Sequence, residues 1–133
     1  MLKLSTSGIY QWAKTFGSIG LDFGQSVTND AQRNVIITGR FSDSVSFGDS
    51  LSILQSKGAT DIFLAKLDEN GRTLWANSYG DTANDQGNQV IVNSTGVIYL
   101  AGIFRGKVDF DPSFELNNNG ESKGGADAFI AVY

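Results

Sequence analysis

The chain contains no cysteine and no histidine. Their absence removes disulfides, thiol nucleophiles, Cys/His zinc sites and every proton relay that runs through imidazole. Proline occurs once, at Pro112, and the ten Lys and Arg residues stand singly against fourteen Asp and Glu, for a net charge of -4. Without a basic stripe a row of phosphates cannot be neutralised, so nucleic acid is excluded as an expected partner. No apolar run approaches the roughly 20 residues that span a bilayer, so no membrane insertion is expected. The opening MLKLSTSGIYQW lacks the apolar stretch of a signal peptide. Carboxylates, Lys, Tyr and hydroxyls are what remain for chemistry.

What is present is enough for one ordinary folded domain: 133 residues, 41% hydrophobic and 11% aromatic. Sixteen glycines punctuate short runs of Val, Ile, Thr, Phe and Tyr. That pattern reads as many short strands joined by glycine turns, an all-β chain.

Laid on itself, the chain repeats. At an offset of 63, Trp12 falls on Trp75, Gly17 on Gly80, Asp22 on Asp85, Gly24 on Gly87, Val27 on Val90, Gly39 on Gly102, Phe41 on Phe104, Val45 on Val108 and Phe47 on Phe110. Asp61, Phe63 and Ala65 then match Asp127, Phe129 and Ala131 at 66, so the second copy carries three extra residues in the loop between Phe110 and Asp127. Lys3-Leu4 and Gly8 fall on Lys66-Leu67 and Gly71, making the first residues the tail of an earlier copy. Self-similarity at this spacing is the signature of a repeat architecture.

Each unit reads as four strands: 25–30 and 88–93; 34–41 and 97–104; 61–67 and 127–133; and 73–79, echoed at 10–16. The first is short and polar, whereas the second is apolar on both faces. Val35, Ile37 and Phe41 oppose Ile36 and Thr38, and Ile98, Leu100 and Phe104 oppose Tyr99, Ala101 and Ile103. A strand with no polar face is covered on both sides. DENG at 68–71 predicts a tight hairpin with Asn70-Gly71 at positive φ. The long connections 43–60 and 106–126 predict an extra short hairpin, from Val45/Phe47 and Leu51/Ile53.

Sheets of this kind must stack face to face, and radial stacking about an axis makes a β-propeller. The expected organisation is a partial propeller over 1–133. Residues 1–22 form the tail of a preceding blade with its outer strand at 10–16, 23–80 the first blade, and 86–133 a second blade lacking its outer strand. The polar first strand would line a central channel, and Trp12 and Trp75 would pack between blades. Because a propeller closes with roughly 4 to 8 blades, two blades leave outer faces, expected at residues such as Phe63, Ile36, Tyr99 and Phe129. The expected partners are therefore other blades, in a longer chain or a homo-oligomer, with the strand at 10–16 donated head to tail between copies.

The run WAKTFG (12–17), D-x-G-x-x-V (22–27 and 85–90), NVIITGRF (34–41), VDFDP (108–112) and GADAFIAV (125–132), with DIFLAKLDENG leading to Trp75, resembles the bacterial seven-bladed β-propeller repeat (SBBP) family across nearly the whole chain. Gln32-Arg33 stands where that family usually has a glycine-containing turn. The resemblance implies repeats of bacterial secreted or cell-surface proteins, mostly without an assigned activity. It supplies no catalytic residues.

Candidate chemistry is thin. Asp22/Asp85 and Asp61/Asp127 could pair as acid and base, but their recurrence at equivalent places reads as carboxylates accepting backbone hydrogen bonds in turns and at strand starts. Asp109, Asp111, Asn117, Asn118, Asn119 and Glu121 gather oxygen donors of the kind that suit Ca²⁺, without EF-hand spacing. A loop rich in turn formers is the favoured reading. Arg33, Arg40 and Arg105 could hold an anion or glycan, or be solvated or stacked on aromatics. The tryptophans could stack on sugar, though their strict repetition favours blade packing. No catalytic, metal or cofactor residues are assigned. The expected function is a non-catalytic scaffold or binding surface for protein or glycan, at the cell surface or outside the cell. The alternatives are a carboxylate-based glycan hydrolase or lyase and a truncated fragment with no role of its own.

Overall fold

Runs of β-branched and aromatic residues between Asx and glycine turns form thirteen strands and no helix among the described residues of this computed structural model, which are 1–17, 19–48, 53–111, 113 and 119–133. In chain order they are β1 (Leu2–Leu4), β2 (Tyr10–Ala13), β3 (Phe23–Asn29), β4 (Val35–Phe41), β5 (Ser44–Ser46), β6 (Ile53–Gln55), β7 (Asp61–Leu67), β8 (Thr73–Tyr79), β9 (Gln86–Val92), β10 (Ile98–Phe104), β11 (Lys107–Asp109), β12 (Asn119–Glu121) and β13 (Asp127–Val132). All strand pairs are antiparallel, and the two main sheets run β3-β4-β7-β8 and β9-β10-β13. None of the sheets closes on itself. The extra hairpin appears twice, as β5-β6 and β11-β12. Leu51, expected on it, lies outside the described residues, as do Pro112, Asn117 and Asn118.

Four turns use one local device. Asp68 Oδ1 accepts the N–H groups of Asn70 and Arg72 while its carbonyl accepts Gly71 N–H. Asp30 does the same for Gln32, Asn34 and Arg33, and Asn93 for Thr95, Val97 and Gly96; Ser5 uses its hydroxyl toward Ser7 and Ile9, with Gly8 on its carbonyl. The short polar side chain replaces the ladder bonds lost where the chain reverses. The fourth residue is left-handed each time, with φ of 80° at Gly8, 66° at Arg33, 80° at Gly71 and 90° at Gly96. Asn70 is not left-handed, so the expected pair of positive φ angles reduces to Gly71 alone. Arg33 occupies a conformation that costs a residue with Cβ about 1–2 kcal/mol.

On the central strands of the first sheet both faces are buried, each by a different neighbour, while Val27 of β3 remains exposed. Ile36, Ile62, Leu64 and Tyr79 join Val90, Ile98, Leu100, Phe104 and Val108 of the second sheet in one core cluster. On the opposite face Ile37, Phe41, Phe63, Ala65 and Leu67 pack with Val45 and Phe47 of the β5 region and with Phe16. The aromatic contacts repeat with the sequence. Phe16 stacks on Phe47 with ring centroids 5.1 Å apart as Tyr79 stacks on Phe110 at 6.3 Å, and Phe47 meets Phe63 at 5.2 Å as Phe110 meets Phe129 at 4.5 Å.

These contacts correct three of the four residues expected on outer faces. Ile36 is fully buried because its face is the one turned to the second sheet, and Phe63 is buried beneath Phe47. Phe129 is half-buried against Phe104 and Phe110. Tyr99, half-buried, lies on the outward face of the second sheet, cross-strand from exposed Ile91 and Val132. The strand at 10–16 shortens to Tyr10–Ala13 and pairs with Leu2–Leu4 of its own chain. Trp12 fixes that hairpin to the first sheet by donating Nε1–H to Glu69 O at 3.0 Å, while Trp75 packs on the core between the sheets.

Leu64 is fully enclosed at the junction of the sheets. Leu64→Ala is expected to cost about 2–5 kcal/mol, the range for deleting a buried leucine side chain. Urea unfolding followed by tryptophan fluorescence measures it.

Candidate functional site

The turn after β8 brings the chain back to β9, the edge strand of the second sheet, and the repeated aspartates sit at such turns and strand starts. Asp85, buried just before β9, accepts N–H of Arg105 through Oδ1 at 2.8 Å and N–H of Asp81 through Oδ2 at 3.0 Å. Asp61 opens β7, fully buried, and accepts Lys57 N–H through Oδ2 at 3.0 Å; Asp127 likewise accepts Lys123 N–H at 2.9 Å. These carboxylates hold loops to strand starts. Enclosed as they are, Asp61 and Asp85 cannot touch a substrate, which is what acid–base work on a glycosidic bond requires.

The same seam is electrostatically uneven. Burial raises Asp61 to about pKa 6, against the Lys57 backbone bond that lowers it, and the charges of Asp85 and Asp81 add to the rise. Its Oδ1 has no hydrogen-bond partner. Burial also raises Asp85, whereas backbone bonding from Lys107, followed by Thr82, lowers Asp81. Elsewhere Asp30 shows the opposite outcome. Burial pushes it up, but the Lys66 ammonium at 2.8 Å and the Asn34 donors outweigh that and hold it at about 2.

Around this seam opens a polar recess of about 570 Å³, lined by Lys57, Asp81, Thr82, Lys107, Asp109 and Asn119. The Asp81 carboxylate accepts Thr82 N–H within its own loop and Lys107 N–H from β11, leaving the exposed side chains of Lys57 and Lys107 at the rim. Most of the lining is not shared between repeats: Ile19, Ser44, Ser46 and Ile53 stand at the places equivalent to Thr82, Lys107, Asp109 and Asn119. Among the described residues no aromatic ring lines it.

Of the expected calcium donors, Asp109 and Asn119 are cross-strand partners in the recess, and Asn117 and Asn118 lie outside the described residues. Asp109 Oδ1 accepts Asp111 N–H and Asp111 Oδ1 accepts Ser113 N–H, the local turn bonding that explains these acids. Among the described residues no three acidic groups gather as metal ligands. Arg40 stacks 4.7 Å over Phe23 and donates to Gln86 Oε1 at 2.8 Å, linking the first sheet to the inner edge of the second. Arg33 pairs with Glu69 at 3.7 Å on the surface. Lys57 and Lys107 were missed by sequence reasoning because scattered single lysines look alike until the fold brings two of them together. Their only signal was the Ser44/Lys107 difference between repeats.

No family model matches the chain. In an alignment 95 positions long that covers 65% of the chain, it is 30% identical to an uncharacterized WD repeat-containing protein of Acanthamoeba polyphaga mimivirus, and it spans 7% of that protein's length. With the paired antiparallel sheets, that likeness makes the fold all-β, built of β-propeller blades.

A carboxylate raised by burial stabilises the fold when protonated. For Asp61 this contribution is full below the unfolded value of 3.8 and is lost as pH rises to about 6, by up to about 3 kcal/mol at 1.36 kcal/mol per pKa unit. Asp85 acts in the same direction, while Asp30 acts only below 3.8. Denaturant titrations are therefore expected to show higher stability at pH 4.5 (about the middle of that window) than at neutral pH. Asp61→Asn is expected to flatten most of that difference, whatever its absolute stability.

Proposed function

We propose that the chain is a non-catalytic propeller repeat module, a scaffold that binds protein through the polar recess at the junction of its two blades. The observation that carries this reading is the placement of side chains the two repeats do not share. In repeat proteins the common residues build the unit and the differing ones are available for recognition, and Lys107, Thr82, Asp109 and Asn119 are differing residues in one recess. Two exposed lysines at the rim fit an acidic side chain on a protein segment. Support for the finer assignment to the bacterial seven-bladed repeat family is the motif run from Trp12 to Val132, and with that assignment goes a secreted or cell-surface location.

The test is selection of displayed peptides on the chain, with counter-selection on Lys57→Glu/Lys107→Glu. Enrichment of acidic peptides, whose affinity falls about tenfold or more in the double variant (1.4 kcal/mol or more) and weakens with salt, supports the reading. Binding on a glycan array in place of peptides, or release of sugar from a polysaccharide, overturns it.

A further inference from the structure

The four side-chain-capped turns offer a comparison within one molecule. Each needs one oxygen, and the Ser5 hydroxyl, the Asp30 and Asp68 carboxylates and the Asn93 amide all supply it. The amide nitrogen of Asn93 is therefore not needed by the turn. Its orientation is fixed by the bonding, because Oδ1 accepts the backbone N–H groups of Thr95 and Val97, both at 2.9 Å, and Nδ2 could not stand in that place. Among the described residues Nδ2 has no hydrogen-bond partner.

The hydroxyl of Thr95 is not needed by the turn either, since Gln32 and Asn70 stand at the same place in two of the others. Here Thr95 Oγ1 donates to Asn93 Oδ1 at 2.8 Å. The groups that the fold leaves unused thus belong to Asn93-Ser94-Thr95, and no other asparagine of the chain is followed two places on by Ser or Thr. Surroundings differ between the repeats as well. At the equivalent turn of the first sheet Asp30 is 5% exposed and paired with Lys66. Val132 replaces that lysine in the second repeat, and residues 93–96 are all exposed. The turn also stands clear of the recess: β9 leads to it from Asp85 and β10 returns toward Lys107, so about 20 Å of seven-residue strand separates the two.

We propose that Asn93 is an acceptor for an N-linked glycan. Asparagine followed two residues on by Ser or Thr, with a residue other than proline between, is the sequence that N-glycosyl transfer requires. This turn holds it on the surface with the nitrogen unbonded. The donor is a sugar carried on a polyprenyl diphosphate. Nδ2 bonds to the anomeric carbon, the bond from that carbon to the diphosphate oxygen breaks with its electron pair leaving on the diphosphate, and the Nδ2 proton passes to a base of the transferase. A glycan there shields the end of the second sheet opposite the recess and leaves the recess open to a protein segment. The proposal rests on the secreted or cell-surface location given above, because this acceptor sequence is used on exported chains.

The test is the whole chain secreted behind a cleavable leader from a eukaryotic host that performs N-glycosylation, with intact mass measured before and after treatment with the amidase that removes N-glycans. Wild type is expected to carry a glycan at Asn93 that the amidase removes. Asn93→Gln and Thr95→Ala are each expected to lose it completely, and Thr95→Ser to keep it. Thr95→Ala retains both backbone bonds to Asn93 Oδ1, so its circular dichroism is expected to match wild type and the loss of sugar is not a loss of fold. A secreted wild type without sugar, or sugar that survives Thr95→Ala, overturns the proposal. The leader supplies the compartment, so this result is read apart from the native location, which surface biotinylation of the chain in its own cells measures.

Discussion

A sheet that is apolar on both faces must be covered on both faces, and the rest of this structure follows from that requirement. One four-stranded sheet carries Ile36, Ile62 and Leu64 on one side and Ile37, Phe41, Phe63 and Leu67 on the other. Burial of apolar area gains about 25 cal/mol per Å², so neither side is stable against water. The second sheet covers one side. The other is covered over its central strands by material brought from both directions in the chain, Phe16 before the sheet and Val45 and Phe47 from the hairpin connection within it.

Stacking sheets this way forces the connections between them into a narrow seam, and the polar groups of the seam are the ones the backbone needs. The chain leaves β8, turns, and enters β9 beside the start of β7. Asp85 and Asp61 are buried there to hold N–H groups of Asp81, Arg105 and Lys57. Burying two carboxylates in one seam raises both, a cost that the backbone bonds only partly offset. The side chains left over from this structural work, chiefly Lys57 and Lys107, face an open recess. In that sense the recess is a consequence of stacking, and its chemistry combines Lys57, repeated at Lys123, with positions such as Lys107 where the two repeats diverge.

The turns show how a repeat tolerates unequal residues. Ser5, Asp30, Asp68 and Asn93 build the same reversal with a hydroxyl, two carboxylates and an amide, since each presents one oxygen at the right reach. The left-handed place is glycine in three of the four turns and Arg33 in the other. Asp30 compensates there: it also holds Asn34 and Lys66, which fixes the loop where glycine is missing.

Much of the fold was legible in the sequence. The offset of 63, the two-sided apolar strands and the turn residues located the strands to within a few residues, because strand pattern and turn chemistry are local. Local pattern also placed Asp61, Asp85 and Asp127 at turns and strand starts, where they accept backbone N–H groups. It could not say which face of a two-sided strand meets which neighbour, and so Ile36, Phe63 and Phe129 were expected outside when they lie within or half within the core. Nor could it bring Lys57 and Lys107 together, fifty positions apart in the chain. The sequence by itself determined that the sheets must stack, since that depends on composition along each strand. Only the tertiary structure decided the partners, because covering a face is a relation between distant segments and leaves no periodic trace in either one.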